Sequence, residues 1–593
     1  MTHSNGRWTR ALNVAELDDG GCRVVHLAGR TLAIIREGER VHAVDNRCPH
    51  MGFPLAQGSV HDGILTCHWH HARFDLCTGG TFDQWADDVD AFPTEIRDGA
   101  VWVDLAPHSD AAAHRRERLR IGLERNIPLV IAKAVLGLTD EAADGLEPFR
   151  AGLEFGVRHR RRGWGMGLTI HSCLRNLSPH LDPDDRPLAL FHGLAAVARD
   201  CDGEPPRHAL PPLPGPVPEF ATLARWFRRF VEVRDAEGAE RCLISAIRGR
   251  SDPRRVAEML FAAVTDHRYI DIGHPLDFTN KALDALDAVG WEHAESVLAS
   301  LVAGYASAER MEESNAWRHP IDLVRLLEEA FAELPAAIES GRGRSASPRD
   351  LDALGPTLLE DDPRAIVAAL SDSLRAGHPP VEVAGAVAHA AALRIARFPT
   401  SNEFGDWDTA LHTFTFANAV QQGLRRVDSW ELARGVFDAA LSVYLDRFLN
   451  VPAVPLPMDS TKRDAANGED PLKRVTTNVG ELSALLDRRH EVDAAAMLVA
   501  RHSTSGGDSG RLLALLGKLL LREDRDFHTI QAVEAAITQF AQRASSPSAP
   551  HFLIAAVRYL AAHAPTMRSQ GQTWRIATRL HRGEDLFDEP GVT

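Results

Sequence analysis

The stretch CPHMGFPLAQGSVHDGILTCHWHHARFDLCTGG, residues 48–80, contains the pattern on which the interpretation of the whole chain depends. It holds a C-x-H pair, Cys48 and His50, and sixteen residues later a C-x-x-H pair, Cys67 and His70. Two thiolates and two imidazoles form a ligand set for a metal centre. Such a set can hold a tetrahedral zinc ion, or a [2Fe–2S] cluster with the cysteines on one iron and the histidines on the other.

The spacing of the four residues favours the cluster, with zinc as the alternative. Zinc sites usually take two cysteines from one segment and two histidines from another, whereas here each segment supplies one of each. Two equivalent loops on either side of a cluster would give this arrangement. Gly52 and Pro54 suit a tight loop that turns backbone N–H groups toward sulfur.

Residues 10–105 resemble the Rieske ferredoxin family through this pattern and through the later segments Phe92-Pro93 and Asp98-Gly99-Ala100-Val101-Trp102-Val103. The resemblance implies a small β module that transfers single electrons through a [2Fe–2S] cluster. It also implies a role for each ligand. Cys48 and Cys67 should bind the buried iron, and His50 and His70 should bind the outer iron.

The resemblance also distinguishes a subtype. Rieske proteins of the respiratory complexes carry two further cysteines that form a disulfide, and the matching positions here are Phe53 and Trp69. Those proteins place a hydroxyl donor two residues after the last histidine ligand, where this chain has Ala72. The neighbouring His68 and His71 are expected to be exposed residues that do not bind the cluster, because the C-x-x-H spacing selects His70.

Composition limits the class of protein and its partners. A chain of 593 residues is too long for one core, and its net charge of −16 argues against nucleic acid and anionic membranes as partners. The cysteines outside the pattern show no paired spacing, which predicts reduced thiols and a cytoplasmic location; they are Cys22, Cys77, Cys173, Cys201 and Cys242. The N-terminus lacks the apolar segment of a signal peptide, and no stretch is long and apolar enough to span a membrane.

The periodicity of the sequence changes near residue 106. Short β-rich runs separated by Gly, Asp and Asn turns precede this point, and helical periodicity dominates after it. The sequence predicts a Rieske domain over residues 1–106, a linker over 107–120 and an all-α domain of repeated helix pairs over 121–593.

The helical part contains an internal repeat. The pattern H-x-x-x-F-x-N occurs at His274, Phe278 and Asn280 and again at His412, Phe416 and Asn418. A weaker third copy starts at His528, and a fourth is suggested over residues 168–177. Helix pairs that repeat at this scale favour a superhelix or toroid in which each unit buries its face against the next.

Equivalent repeat positions bring side chains toward a common axis, which makes the repeated histidines candidates for a second metal site. His274 and His412 are the first two candidates, and imidazoles suit iron or another transition metal. Four more histidines on or beside neighbouring apolar helices could join them: His171, His192, His267 and His389. Each of the six is alternatively a satisfied core or surface residue.

Lys281, one of five lysines, lies within an apolar stretch. A buried lysine is costly unless it is paired or modified. We expect its stem to extend so that the charge reaches Asp277 or Asp284.

Two known arrangements of catalytic iron do not fit the helical part. Terminal Rieske oxygenases bind iron through a D/E-x-x-H-x-x-x-x-H pair, and no two histidines after residue 106 are five apart. Di-iron bundles use E-x-x-H on two helices, and no histidine in the helical part follows a glutamate at that spacing. The helices that carry histidines look distantly like the questin-oxidase-like family of helical oxygenases, but no full ligand set aligns and no residue roles are transferred.

The sequence therefore predicts an iron–sulfur oxidoreductase of oxygenase type. Its cluster would be the built-in electron donor to a second centre in the helical domain. That centre would hold a second iron. The expected partners are a reductase or ferredoxin that donates electrons and a small organic substrate. The alternative is a non-catalytic electron carrier or redox sensor whose helical domain docks a protein.

The missing disulfide and hydroxyl donor predict the potential of the cluster. Fewer hydrogen bonds to the cluster stabilise its reduced, more negative state less, so the potential should lie near the low end of the Rieske range, at about −150 mV. Protein-film voltammetry measures this value, and a clearly positive potential would contradict the interpretation of Phe53, Trp69 and Ala72.

Overall fold

The structure is a computed structural model that describes residues 8–106, 111–457, 479–489, 491–584 and 586. The first four residues of the predicted linker, 107–110, and residues 458–478 lie outside this description. Contacts divide the chain into two compact units, one of residues 1–148 and 569–593 and the other of residues 149–568. The predicted domain boundaries, at residues 106 and 120, differ from this division. They stay a prediction about which parts of the chain fold independently.

The N-terminal unit contains an antiparallel β module, as the sequence predicts. Its strands are β1 (Trp8–Asn13), β2 (Cys22–Leu27), β3 (Arg30–Glu37), β4 (Arg40–Asp45), β5 (Ser59–His61), β6 (Ile64–Thr66), β7 (Arg73–Asp75), β8 (Ala91–Phe92), β9 (Thr94–Arg97) and β10 (Ala100–Asp104). They form three sheets with the strand orders β1-β10-β9, β2-β3-β4-β8 and β5-β6-β7.

Strand β3 is the centre of the module, and its apolar run explains why. Leu32 and Ile34 point into a core shared with β1 and β10, whereas Ala33 and Ile35 point into a core on the opposite face. A strand that is covered on both faces reads as a continuous apolar run because alternate side chains enter different cores. The second core contains Cys48 and Cys67, so the β3 sheet supports the ligand loops directly.

The rest of the described chain is helical, as predicted. The α-helices are α1 (Ala111–Glu124), α2 (Pro128–Glu141), α3 (Leu146–Arg158), α4 (Met166–Leu177), α5 (Arg186–Cys201), α6 (Phe220–Glu232), α7 (Ala236–Arg248), α8 (Pro253–Val264), α9 (His274–Val289), α10 (Ala294–Ala299), α11 (Val302–Ser307), α12 (Asn315–Arg318), α13 (Leu323–Gly341), α14 (Pro348–Leu358), α15 (Pro363–Ala376), α16 (Pro380–Ala396), α17 (Phe404–Arg426), α18 (Trp430–Leu445), α19 (Leu482–Asp487), α20 (Val492–Thr504), α21 (Ser509–Leu521), α22 (Phe527–Gln542), α23 (Pro550–Ala562) and α24 (Ser569–His581). None of these described helices is both long and apolar enough to cross a membrane.

Helices α1, α2 and α24 belong to the same unit as the β module. Residues 111–120, which the sequence analysis assigns to the linker, form most of α1. Leu119 and Leu123 are buried, one turn apart on this helix, so α1 packs through an apolar face. Helix α24 packs against α2 although more than 400 residues separate them in sequence.

The helical unit is built around four helices, α4, α9, α17 and α22, which contact one another across long distances in sequence. The predicted repeat lies at this centre. Asn280 donates a hydrogen bond from Nδ2 to the carbonyl of Ala419 at 2.8 Å, and Gln539 donates to Oδ1 of Asn418 at 2.9 Å. The two repeat asparagines therefore join α9 to α17 and α17 to α22. Helix α4 contacts α9 and α22, and α17 contacts the same two helices, so the contacts among the four helices form a closed ring.

The expectation for Lys281 is wrong. Its side chain is fully buried and its Nζ lies 2.7 Å from Oε2 of Glu534 on α22, so the stem does not extend to Asp277 or Asp284. Asp277 accepts a hydrogen bond from Gln531, and Asp284 pairs with Arg426. The sequence could not show this pair because its two residues lie on helices that only the tertiary fold brings together.

The buried pair predicts a non-additive effect on stability. Lys281→Met leaves Glu534 as a buried charge without its cation, and we expect a loss of about 3–5 kcal/mol in the free energy of unfolding. In Lys281→Met/Glu534→Leu both charges are gone, so we expect a smaller loss than in either single variant. Urea unfolding followed by circular dichroism measures each value.

Lys518 is the matched control because it is an exposed lysine on α21. Lys518→Met should change the free energy of unfolding by less than about 0.5 kcal/mol. A loss in the double variant that equals the sum of the two single losses would contradict the pairing.

Candidate functional site

The first ligand loop reverses the chain between Cys48 and Phe53. The backbone N–H of Cys48 donates to the carbonyl of Phe53 at 2.8 Å, and the N–H of Gly52 donates to the carbonyl of Cys48 at 2.7 Å. Gly52 has a φ of +81°, a conformation that residues with a side chain rarely adopt. This glycine therefore allows the tight turn that the sequence predicted.

The second ligand loop has the same hydrogen bonds at the same spacing. The N–H of Cys67 donates to the carbonyl of Ala72 at 2.9 Å, and the N–H of His71 donates to the carbonyl of Cys67 at 3.0 Å. His71 occupies the position of Gly52 and has a φ of +63°. The exposed His71 is thus the turn residue of its loop, and His68 is exposed as well, as expected.

The two cysteine thiols lie at the centre of these loops. They are buried and hydrogen-bond to each other, which raises the pKa of Cys48 and lowers that of Cys67 to about 6. Backbone N–H groups also point at the sulfurs, from His50 and Met51 to Cys48 and from Trp69 and His70 to Cys67. Such N–H groups stabilise negative charge on sulfur.

The two histidines of the pattern lie beside each other above the thiols. The ring centroids of His50 and His70 are 4.9 Å apart in an edge-to-face arrangement, and Trp85 packs on His50 at 4.7 Å. His50 is half-buried and His70 is exposed. Among the described residues, nothing hydrogen-bonds to the buried Nδ1 of His50, so this atom is available to a metal. Two buried thiols and an available imidazole nitrogen fit a [2Fe–2S] group.

The positions that form the disulfide of respiratory Rieske proteins hold aromatic rings here. The rings of Phe53 and Trp69 are 6.2 Å apart, one from each ligand loop. All seven cysteines lie in described parts of the chain, and all are free thiols. The loops are therefore held together by ring contacts and by the supporting core.

Helix α2 contacts the first ligand loop, which the sequence analysis did not predict. Nζ of Lys133 donates to the carbonyl of Pro49 at 2.8 Å and pairs with Asp87 at 2.8 Å. Burial alone would raise the pKa of Asp87, but Lys133, His114 and Arg118 together hold it well below the ordinary value. The rarity of lysine in this chain was the available signal, since Lys133 lies on an apolar helix that follows the recognised pattern.

The helical unit brings three histidines together: His274 of α9, His412 of α17 and His528 of α22. Their ring centroids are 5.0 Å apart for His274 and His412, 4.6 Å for His412 and His528, and 6.0 Å for His274 and His528. One nitrogen from each ring lies within 4.8 Å of the others. Ligands of one transition metal with bonds of about 2.0–2.1 Å must converge in this way.

Hydrogen bonds to backbone carbonyls orient two of these rings. Nδ1 of His412 lies 2.6 Å from the carbonyl of Asp408, and His274 hydrogen-bonds to the backbone of Asp271. A carbonyl can only accept, so each ring places its proton on that side and leaves a lone pair on Nε2. Within the described residues, both buried Nε2 atoms are without a hydrogen-bond partner.

Burial keeps the imidazoles of His274 and His412 neutral, which is the form that binds metal. Burial and the neighbouring histidines lower the pKa of His274 to about 3 and that of His412 to about 4. A metal bound by three imidazoles would keep coordination positions open, as catalytic metal sites require.

The other predicted candidates do not join this group. His171 Nε2 bonds to the carbonyl of Phe149 at 2.9 Å, and His389 Nε2 lies 2.9 Å from Nδ1 of His551. Both rings are thus satisfied without a metal, which is the alternative that the sequence left open.

His267 and His192 also lie elsewhere in the helical unit. His267 lies between two carboxylates, Glu312 at 2.6 Å and Glu232 at 2.9 Å. His192 is buried in α5, and the metal-ligand group found among the described residues does not include it. The third member of that group, His528, was noted only as the start of a weak repeat. The repeat register was its one signal, because the phenylalanine and asparagine of the pattern are missing there.

Comparisons with known proteins concern the N-terminal region. The family model described as the Rieske [2Fe-2S] domain matches residues 7–93. The ferredoxin component of a naphthalene 1,2-dioxygenase system from Pseudomonas aeruginosa is 27% identical over 101 residues, which are 17% of this chain and 97% of that protein. Human apoptosis-inducing factor 3 is 32% identical over 92 residues, 15% of each chain. The vanillate O-demethylase oxygenase subunit of a Pseudomonas species is 42% identical over 72 residues, 11% of this chain and 22% of that protein.

Among solved structures, the ferredoxin of carbazole 1,9a-dioxygenase from Nocardioides aromaticivorans is 25% identical with a TM-score of 0.16, and the match covers 17% of this chain and all of that one. The chain thus spans less than a quarter of the length of apoptosis-inducing factor 3 and of the vanillate O-demethylase subunit, but nearly all of the naphthalene dioxygenase ferredoxin. Residues 7–93 are therefore a Rieske domain, which binds a [2Fe–2S] cluster and transfers single electrons.

Proposed function

We propose that this protein is an oxidoreductase of oxygenase type in which the Rieske cluster supplies electrons to a redox-active metal bound by His274, His412 and His528. One observation carries the proposal. Two buried Nε2 atoms, unpartnered within the described residues, converge with a third imidazole in the spacing that a single metal requires.

The ligands of the cluster are part of the same proposal. Cys48 and Cys67 would bind the inner iron because both are buried in the core of the module. His50 and His70 would bind the outer iron, since one ring is half-buried and the other exposed. When bound, the cluster supplies one-electron redox chemistry.

A one-electron donor limits which metal suits the three histidines. Imidazole ligands suit zinc, copper, iron and nickel alike. Zinc has no accessible redox change, so an electron donor in the same chain would serve no purpose for it. We therefore infer iron, the metal that the cluster already requires. Covalent linkage raises the effective concentration of the donor at the acceptor.

The partners follow from the cluster. The ferredoxin component of the naphthalene dioxygenase system is similar to this domain along nearly its whole length. We infer a reductase or a ferredoxin as the source of electrons and a small organic molecule as the substrate. The net charge of −16 disfavours nucleic acid as a partner.

Lys133 should tune the cluster through its charge. Its ammonium group contacts the loop between Cys48 and His50, so it favours the reduced, more negative state of the cluster. In Lys133→Met we expect the midpoint potential to fall on the order of 40 mV, equivalent to about 1 kcal/mol. Voltammetry of the full-length protein measures the shift.

Two control variants separate charge from structure. Lys133→Arg keeps the positive charge and should leave the potential close to that of the wild type. Lys518→Met removes an exposed lysine from the other unit and should not change it. An unchanged midpoint potential in Lys133→Met would contradict the electrostatic role of Lys133.

Metal analysis of full-length variants tests the proposed function. The wild type should contain about three irons per chain, two in the cluster and one at the histidines. His412→Gln should lose about one iron and keep the visible absorbance of the cluster, whereas Cys67→Ser should lose about two. His389→Gln is the control, because its imidazole pairs with His551 outside the group.

Electron transfer is tested in the same variants. After reduction by dithionite and exposure to air, the cluster of His412→Gln should reoxidise more slowly than that of the wild type and of His389→Gln. Equal iron content in the wild type and His412→Gln would contradict the second centre and leave the electron-carrier alternative.

A further inference from the structure

A cavity of about 390 Å³ lies beside the three histidines, with His412 in its wall. Helix α17 and residues around the end of α18 form one side of it, and residues 311–317 form the other. The volume falls within the range of cavities that bind small organic ligands. A ligand in this cavity would therefore contact His412, one of the three residues of the proposed metal site.

The cavity has a buried floor and an exposed mouth. Tyr269, Trp317 and Thr413 form part of the floor and are all more than nine-tenths buried. Thr409 and Ala316 lie at the mouth and are exposed. The surface of the cavity is mostly apolar, with two aromatic rings at its base. Such a surface binds uncharged molecules, because a charge would lose its hydration there without repayment.

Two carboxyl groups line the cavity: Asp408, which accepts a hydrogen bond from Tyr559, and the more deeply buried Asp446. The side chain of Asp446 is 5% exposed, and within the described part of the chain its Oδ2 atom has no hydrogen-bond partner. Thr413 hydrogen-bonds to the same carboxyl group. Burial raises the pKa of Asp446 to about 7. A buried carboxyl oxygen that lines a cavity and lacks a partner is a site for a polar atom of a ligand.

The backbone segment that contributes Tyr269 and Ile272 to the cavity wall is strained. Tyr269, Asp271 and Ile272 have φ values of 45°, 43° and 46°, and Gly273 follows at 95°. Each such conformation costs about 1–3 kcal/mol outside glycine, and strain of this kind concentrates at functional sites. The strained segment sets Tyr269 and Ile272 in the cavity wall and ends at His274.

A larger cavity elsewhere in the helical unit has a different character. Its volume is about 850 Å³, and its lining includes Arg175, Arg425, Asp287 and the Lys281–Glu534 pair. Of the described residues that line it, none is a member of the histidine group. We therefore select the smaller cavity as the candidate substrate site, because His412 of the histidine group lines it.

We propose that the cavity beside His412 binds an uncharged, largely apolar molecule that carries a hydroxyl group, and that Asp446 determines this specificity by hydrogen-bonding to the hydroxyl. The inference rests on the proposed function, because it takes this molecule as the substrate of the histidine site. A hydroxyl group suits Asp446 in either protonation state, since it can both donate and accept. The apolar body of the ligand would cover the aromatic floor.

Binding of three probes of similar size tests the proposal: 2-naphthol, naphthalene and 2-naphthoate. Isothermal titration calorimetry on the full-length protein, after removal of loosely bound metal with a chelator, gives each dissociation constant. We expect 2-naphthol to bind roughly tenfold or more tightly than naphthalene, because it satisfies a buried group that is otherwise unpartnered among the described residues. The charged 2-naphthoate should not bind.

Variants identify the residue and the cavity. Asp446→Leu should abolish the preference for 2-naphthol over naphthalene, whereas Asp446→Asn should retain most of it because an amide also donates and accepts. Ser442→Ala is the control, since Ser442 lines the cavity but already donates to the carbonyl of Asp438. Thr409→Trp should block the mouth and weaken both neutral probes. Thermal melting confirms that each variant folds.

Three outcomes would overturn the inference: equal binding of 2-naphthol and naphthalene to the wild type, binding of neither, or a preference that survives Asp446→Leu. Because binding is measured without the second metal, its result is independent of the iron content. Loss of the predicted iron with retained 2-naphthol preference would refute the proposed function alone. The full iron content without the preference would refute only the role of the cavity.

Discussion

A buried imidazole nitrogen needs a partner, and this requirement governs the centre of the helical unit. A polar atom that leaves water without gaining a hydrogen bond costs about 1–3 kcal/mol. The fold meets this requirement directly at His389 and His551, whose nitrogens are 2.9 Å apart. At His274 and His412 the described residues do not meet it, because each ring gives its only N–H to a backbone carbonyl and its Nε2 has no partner among them. Three helices thus converge on a position that a metal ion or a hydrogen-bond donor would satisfy.

In the Rieske module the buried sulfur atoms also need polar partners, and backbone N–H groups of the two loops provide them. Each ligand loop returns to its own cysteine through the same two hydrogen bonds, and the residue four positions after the cysteine adopts a positive φ. The turn directs N–H groups at sulfur, so the thiols are surrounded by donors before any metal binds. At both places main-chain hydrogen bonds orient candidate ligands, Cys48 and Cys67 in one and His274 and His412 in the other, and they do so at lower entropic cost than another side chain would.

The distance between residues in the sequence decided how much could be predicted. All four residues of the Rieske pattern lie in residues 48–80, and their order and spacing identify the fold and the cofactor. The second site joins residues 254 positions apart, and only the two copies with a complete repeat, at His274 and His412, could be found. His528 lacks the rest of the pattern. The pair of Glu534 and Lys281 could not be predicted for the same reason, because α22 contacts α9 only in the folded chain.

The charges of the two sites suit the direction of electron flow that we propose. The histidine group offers imidazole ligands, which carry no negative charge, so a metal bound there would keep its full positive charge, and that charge favours its reduction. Thiolates at the Rieske domain act in the opposite direction, since their negative charge makes a cluster less ready to keep an electron. Asp446, a carboxyl group in the wall of the adjacent cavity, has its pKa raised by burial to about 7, so at neutral pH it adds less negative charge near that metal than an ordinary carboxylate would. An electron on the cluster would thus move downhill toward a site that holds only imidazoles.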